Sequence, residues 1–497
     1  MHSQRPITRS RLSATAAATV LLTIGATITA VTSPATAAPA AVAHDDFNGD
    51  GYPDLVVSAP GGTVSAKKGA GYVAVLYGSA KGVSASRRAT FSLSTPGITG
   101  LAQTADHFGQ STASGDLDGD GFADLVVGIP GKDIGSAVDA GAATVLFGSK
   151  GGLHGPDSLS LRDDTPKTKG GFATGLATGR FTGAGTRLAV LTRDGVWTYG
   201  IEYSPALRGP RVAAVASPSE WWSDYVPAGL TSGDYNKDGA DDLVVLGTQF
   251  AYEGGLYLYE KHGSALYLPG GSSGLAYGRQ LTGGATGTSG DLNKDGYADL
   301  VLGSPADYDY WCECLVDGGS VDVHLGGADG PGGQGSGHQV WNQSSPGVPG
   351  AETKGDSFGG AIAVGDINGD GYADAAIGAP GNDIGKATDA GTVWVFRGSA
   401  AGLTVKNIHT LGQDSWKVPG TPEKADAFGS ALRLIDADRN GKAGLVVGAP
   451  GEDTNDGGAW VFSGTGSGLT TSGSWSFNGA TIHAPSPDAR FGGSLAP

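Results

Sequence analysis

Five stretches of the chain present oxygen ligands at one shared spacing. They are Asp46, Asn48, Asp50 and Asp54; Asp116, Asp118, Asp120 and Asp124; Asp234, Asn236, Asp238 and Asp242; Asp291, Asn293, Asp295 and Asp299; and Asp366, Asn368, Asp370 and Asp374. Ca²⁺ takes six to eight hard oxygens. A loop with side-chain oxygens at positions 1, 3, 5 and 9, a carbonyl at 7 and a glycine turning the chain at 6 can surround it. The position 7 carbonyls would come from Tyr52, Phe122, Ala240, Tyr297 and Tyr372. An EF-hand would need a bidentate Glu at position 12, where these loops have Val57, Val127, Val245, Leu302 and Ile377. Those are strand residues, and merely solvated turns would not repeat carboxylates in identical register. Calcium at about five sites is the expectation. A sixth, weak site at Asp436, Asp438 and Asn440 has Gly444 at position 9, and the related segment at Arg180 has lost its acids altogether.

The loops recur because the chain recurs. Units start at Asp46, Asp116, Arg180, Asp234, Asp291, Asp366 and Asp436, roughly 55 to 75 residues apart. Each reads as four short strands, lettered A to D. In the unit at Asp366, strand A starts at Phe358, the acidic loop follows, and strand B ends in Gly378-Ala379-Pro380. Strand C starts at Gly391, a Gly-Ser turn spans Gly398 to Gly402, and strand D begins near Leu403. A four-stranded unit cannot bury both faces alone, so seven of them predict an all-β, seven-bladed β-propeller of antiparallel blades. Phe-Gly precedes the acidic loop by eight residues at Phe108, Phe358 and Phe428. The unit at Asp46 has no strand A of its own, whereas Phe491 opens a strand A with no unit after it. The C-terminal strand is therefore expected to pair with the N-terminal blade and close the ring, which protects both sheet edges.

Phe-Gly at 108, 358, 428 and 491, the acidic loop, and then Gly-Ala-Pro or Gly-Ser-Pro together resemble the FG-GAP repeat family. The chain looks similar to the N-terminal β-propeller of integrin α chains and to bacterial secreted FG-GAP repeat proteins. That resemblance implies a seven-bladed propeller with Ca²⁺ in its blade loops, serving adhesion or ligand binding. It extends to the propeller part of glycosylphosphatidylinositol-specific phospholipase D, so an enzyme stays open as the alternative.

Composition narrows the partners. With 49 acidic against 32 basic side chains the formal charge is −17, which disfavours nucleic acid. Gly contributes 88 of 497 residues without a collagen period, as in a turn-rich β protein. Residues 1–37 read as a secretory signal peptide: Arg5, Arg9 and Arg11 are followed by an apolar run from Ala14 to Ile28 and by Ala35-Thr36-Ala37. Residues 38–497 are then a single propeller, secreted into the medium or held at the cell wall. No later segment reads as a membrane span.

Catalytic motifs are scarce. No His is followed by Glu, so HExxH is absent, and Gly270-Gly271-Ser272-Ser273-Gly274 falls on a C-to-D turn where its serine is a turn residue. Cys312 and Cys314 are expected to form a short-loop disulfide in a secreted chain. The A-to-B and C-to-D turns share one face of a propeller, with calcium on it. The opposite face gathers the irregular inserts, including Tyr252, Tyr257 and Tyr259 after Gly247. Its candidate ligand residues are Trp221, Trp222, Tyr225, Tyr308, Tyr310 and Trp311, either as anchors for a protein or glycan or as a local mini-core. The Gly-rich stretch from Gly326 to Gly350 reads as a mobile connection. The leading function is a binding or adhesion module without catalysis; the alternative is a polysaccharide lyase, glycosidase or phospholipase-associated hydrolase.

Overall fold

In the computed structural model the described residues are 45–201, 211–212, 225–253, 256–305, 308–309, 314–315 and 317–496, with side chains left out at 211–212, 250–262, 308–309 and 314–315. They form seven antiparallel sheets, one per repeat, so the fold is a seven-bladed β-propeller. Strands A to D of blade 2 are Thr112–Gly115, Asp124–Ile129, Ala142–Leu146 and Leu159–Leu161, and the other blades follow the same order. Strands B and C of blade 1, Leu55–Ala59 and Tyr72–Leu76, are mostly apolar and wholly buried, because each is covered on both faces by neighbouring blades. Some A strands are built mostly from small residues, as in Gly175–Gly179 and Thr286–Gly290. The seven A strands converge around the axis and enclose a channel of about 470 Å³. Asp45 is buried beside the Arg433 guanidinium, 2.5 Å away, and accepts a hydrogen bond from Ser114 Oγ, so it joins blade 7 to blade 2.

Ring closure is as expected from the orphan strand. Ser494–Ala496 pairs with strand B of blade 1, with Val57 opposite Leu495, and completes a four-stranded sheet. The Phe-Gly motif explains how successive blades are held. Phe428 is fully buried and its N–H donates to Ala390 O of the preceding blade, while the Gly429 N–H reaches Gly448 O in its own. Phe491 repeats this with Asp456 O and Ser58 O. Glycine is needed at Gly378 of the Gly-Ala-Pro motif, since a Cβ there would lie 2.1 Å from the Gly429 carbonyl of the next blade. In blade 3 the same place is taken by Phe172, eight residues before Arg180, whose N–H donates to Ala140 O.

Three expectations need correction. Strand A of blade 6 is Ala361–Gly365, with Phe358 just before it in a turn, because its N–H is engaged by Gly318 of blade 5. The insert after Gly247 is regular: strands B and C of blade 4 run on as Asp242–Glu253 and Leu256–Leu268, with Tyr252 opposite Tyr257. The stretch from Gly326 to Gly350 contains strand D of blade 5, His338–Trp341. It is tied to blade 6 by Gln339, which donates to Ala401 O and Leu403 O and accepts from Leu403 N–H.

Candidate functional site

Each acidic loop is the A-to-B turn of its blade, and its carboxylates shape it. In blade 1, Asp46 accepts the N–H groups of Asp50 (3.2 Å) and Gly51 (2.7 Å), and Asp50 accepts that of Tyr52 (3.1 Å). Equivalent bonds run from Gly121 to Asp116, Gly239 to Asp234, Gly296 to Asp291 and Gly371 to Asp366. The chain reverses at position 6, where Gly51, Gly121 and their counterparts have φ near +90°, a region glycine enters at no steric cost. The structure brings positions 1, 3 and 5 together: one carboxylate oxygen from each of Asp116, Asp118 and Asp120 lies within 4.8 Å of the others.

The position 9 acids sit beneath this cluster. Asp54, Asp124, Asp242, Asp299 and Asp374 are fully buried. In Asp54 one oxygen accepts Phe47 N–H at 2.9 Å and the other accepts Gly78 N–H at 2.8 Å. Gly78 opens the C-to-D turn, so this carboxylate ties the acidic loop to the Gly-Ser turn and sets both on one face. The pattern recurs with Gly148, Gly270, Gly326 and Gly398. Burial pushes these acids up despite the two N–H donors: Asp54 to about 7, Asp124 to about 8, and Asp242 and Asp299 to about 6, with Asp374 also raised. A buried carboxylate with neighbouring acids and no cation favours its protonated form. A divalent cation on the loop would reverse that preference, and this hard-oxygen set suits Ca²⁺. The position 12 residues Val57, Val127, Val245, Leu302 and Ile377 are fully buried in strand B, as the departure from an EF-hand requires.

Several participants were not evident from spacing. Arg397 donates to Asp374 at 2.8 Å and Tyr267 to Asp242 at 3.0 Å. At position 4, Lys237 reaches Asp295 O and Lys294 reaches Asp370 O, each at 3.0 Å, and so links its loop to that of the following blade. The signal was available: position 4 is Gly in the loops at Asp46, Asp116 and Asp366 but Lys in these two. In blade 7, Asp436, Asp438 and Asn440 keep the turn, with Gly441 N–H on Asp436 at 2.8 Å, but Gly444 puts no carboxylate beneath it. At Arg180 the loop instead donates its N–H to Asp241 of blade 4.

The aromatic face is described in part. Trp221, Trp222, Tyr310, Trp311 and Cys312 lie outside the described residues. Tyr308–Asp309 pairs with the extended strand C of blade 4, Lys261 opposite Tyr308, and Cys314–Leu315 pairs with it in turn. The inserts of blades 4 and 5 therefore form one sheet extension. Tyr225 begins strand A of blade 4, but its hydroxyl donates to Val245 O at 2.8 Å and Ser264 O at 3.1 Å. That hydroxyl is engaged within its own blade, on carbonyls of strands B and C.

Comparison with known proteins agrees with this architecture. The FG-GAP repeat family matches residues 38–76, 108–146, 283–324 and 358–396, and the FG-GAP-like repeat family matches 223–302. Human integrin alpha-6 is 35% identical over 161 residues, covering 32% of this chain and 12% of its own. Integrin alpha-V of Gallus gallus is 31% identical over 241 residues, covering 46% and 20%. A phosphatidylinositol-glycan-specific phospholipase D of Dictyostelium discoideum is 28% identical over 198 residues, covering 35% and 20%. The matched stretches thus span no more than a fifth of these relatives. With four Phe-Gly motifs, acidic A-to-B loops and seven closed blades, the chain carries FG-GAP repeats and is similar over part of its length to integrin α chains.

Proposed function

We propose that the chain is a secreted, calcium-loaded propeller that binds an extracellular protein or glycan and carries out no catalysis. Five cations would be held by the loops at Asp46, Asp116, Asp234, Asp291 and Asp366, with the position 9 acids beneath them. Their part is to fix the A-to-B turns and so the ring, not to activate a substrate. The observation that carries the binding role is the shared sheet extension of blades 4 and 5. It joins two inserts whose sequences carry Tyr252, Tyr257 and Tyr259 in one and Tyr308, Tyr310 and Trp311 in the other, and aromatic side chains are the usual anchors of ligand hot spots. Among the described residues no helix is long and apolar enough to cross a membrane. Export would rest on residues 1–37 as the signal peptide.

The phospholipase D relative supports a second reading, in which the propeller belongs to an extracellular hydrolase. Fold alone does not choose between them. A glycan and matrix-protein array, run in millimolar Ca²⁺ beside a screen of lyase, glycosidase and phosphodiesterase substrates, separates the two. Saturable binding without turnover supports the binding module. Turnover that copurifies with the full chain overturns it in favour of the enzyme.

A further inference from the structure

Blade 5 breaks a rule that blades 1, 2, 4, 6 and 7 keep. The strand C residue two before the turn glycine is Leu76 in blade 1, Leu146 in blade 2, Leu268 in blade 4, Phe396 in blade 6 and Phe462 in blade 7, all buried and apolar. In blade 5 it is His324, also buried, and two residues earlier stands Asp322, again buried, where blades 6 and 7 have Trp394 and Trp460. In blades 6 and 7 the motif phenylalanine packs edge-on against that tryptophan, Phe358 on Trp394 and Phe428 on Trp460, both at 5.5 Å. The matching position in blade 5, eight residues before Asp291, is Gly283, where a Cβ would come within 2.8 Å of the Asp322 carboxylate. A whole aromatic pair has thus been replaced by a glycine and an acid. Burying polar groups in an apolar seam costs free energy unless they are engaged, so the substitution needs a compensating partner.

His338 completes the group. It lies opposite His324 across strands C and D, and the two rings stack at 4.6 Å. Its Nε2 is 2.9 Å from Asp322 Oδ1, while the Nε2 of His324 is 3.0 Å from the Thr282 carbonyl of blade 4. That carbonyl can only accept, so Nε2 of His324 carries the proton and Nδ1 presents its lone pair. This is the orienting contact that metal-bound imidazoles characteristically make through their other nitrogen. One ligand atom from each of Asp322, His324 and His338 falls within 4.8 Å of the others.

We propose that Asp322, His324 and His338 hold a divalent transition-metal ion, Zn²⁺ foremost, in the seam between blades 4 and 5, distinct from the calcium loops. Two imidazole nitrogens and one carboxylate suit Zn²⁺ and its borderline neighbours, not Ca²⁺ or Mg²⁺. Three protein ligands leave a fourth position of a tetrahedral ion, and the half-exposed His338 places it toward solvent.

The test is calorimetric titration of the EDTA-stripped full chain with ZnCl₂ in saturating Ca²⁺, together with the visible absorption of the Co²⁺-loaded protein. One Zn²⁺ per chain is expected, with a Co²⁺ spectrum of nitrogen and oxygen ligation. The exposed-residue change His338→Ala and His324→Leu, which restores the residue of blades 1, 2 and 4, should each weaken binding at least about tenfold. Melting curves in Ca²⁺ confirm that both variants are folded. A wild type that takes up no Zn²⁺ under these conditions, or variants that bind it as tightly as the wild type, would overturn the site and leave an Asp322–His338 hydrogen bond in its place.

Discussion

Arg397 sets its guanidinium 2.8 Å from the carboxylate of Asp374, both buried in blade 6. Among the described residues, Asp54, Asp124, Asp242 and Asp299 have no such cation beside them. Blade 6 therefore neutralises internally the charge that the other four loops leave for a bound ion. Replacing Arg397 with Met should destabilise the calcium-free protein by about 3 to 5 kcal/mol, the usual effect of orphaning a buried charge. In saturating Ca²⁺ the loss should shrink, because the ion takes over the guanidinium's role. Equal losses of melting temperature with and without Ca²⁺ would show that Arg397 and the cation do not share Asp374.

Removing calcium should loosen the whole ring. With a Kd of about 10⁻⁴ to 10⁻³ M and free Ca²⁺ near 1 mM, each loop contributes roughly 0.4 to 1.4 kcal/mol, and five contribute about 2 to 7. A clear fall of the melting temperature in EDTA is expected, reversed by excess Ca²⁺. An unchanged melt after confirmed metal removal would sink calcium binding at the loops.

Deleting Phe491 to Pro497 should strip blade 1 of its inner strand and bare the edge at Leu55–Ala59. Aggregation or a large stability loss is expected. The milder Phe491→Ala change should cost about 3 to 5 kcal/mol, since the ring is fully buried and packs edge-on against Phe477 at 5.5 Å. A truncated protein that melts like the full chain would refute closure.

Glu452 supplies a pH dependence outside the acidic loops. Burial pushes it up to about 7, reinforced by Asp426, Asp453 and Glu423 and opposed by the Gln413 amide, which donates to it at 2.6 Å. The folded state therefore holds this proton more tightly than the unfolded state. Its contribution to stability is present in full below about 4.5, falls as pH rises from there to about 7, and is level above that. Glu452→Gln should melt higher than wild type at pH 8 and converge with it near pH 4.5. Parallel melting curves across that window would show that Glu452 titrates normally.

For the candidate ligand aromatics, Trp222→Ala or Trp311→Ala should weaken ligand binding by about 2 kcal/mol or more if these residues are anchors, and leave the calcium-dependent melt nearly unchanged. A lowered melt with full affinity would assign them to a mini-core instead.

Repetition made most of this legible from sequence. Seven repeats, some worn, give the blade number, and the orphan Phe491 points to closure, because a strand without its own blade has one free edge left to join. The acidic loops were readable because ligand spacing is local. Contacts between blades were not: Lys237 on Asp295, Arg397 on Asp374 and the Gly378 approach to Gly429 join residues far apart in the chain. Asp322, His324 and His338 escaped for a related reason. Their polarity is unremarkable in a strand of alternating residues, and only alignment with the buried Leu146 and Phe396 of other blades makes it an exception. The bond of the Tyr225 hydroxyl to Val245 O was equally illegible, because it joins two strands through a side chain.

The pairing of Val57 with Leu495 also dictates an order of assembly. A chain emerging from its N-terminus can lay down strands B, C and D of blade 1 at once, but strand A arrives only when residues near 494 have been made. Until then every intermediate, however many blades it has stacked, is an open arc with an unpaired strand at one end. Such an edge is a template for pairing with other chains, and a contact this distant in sequence forms slowly. The last strand is therefore a completion step, and its arrival converts a row of neighbouring blades into one cooperative unit.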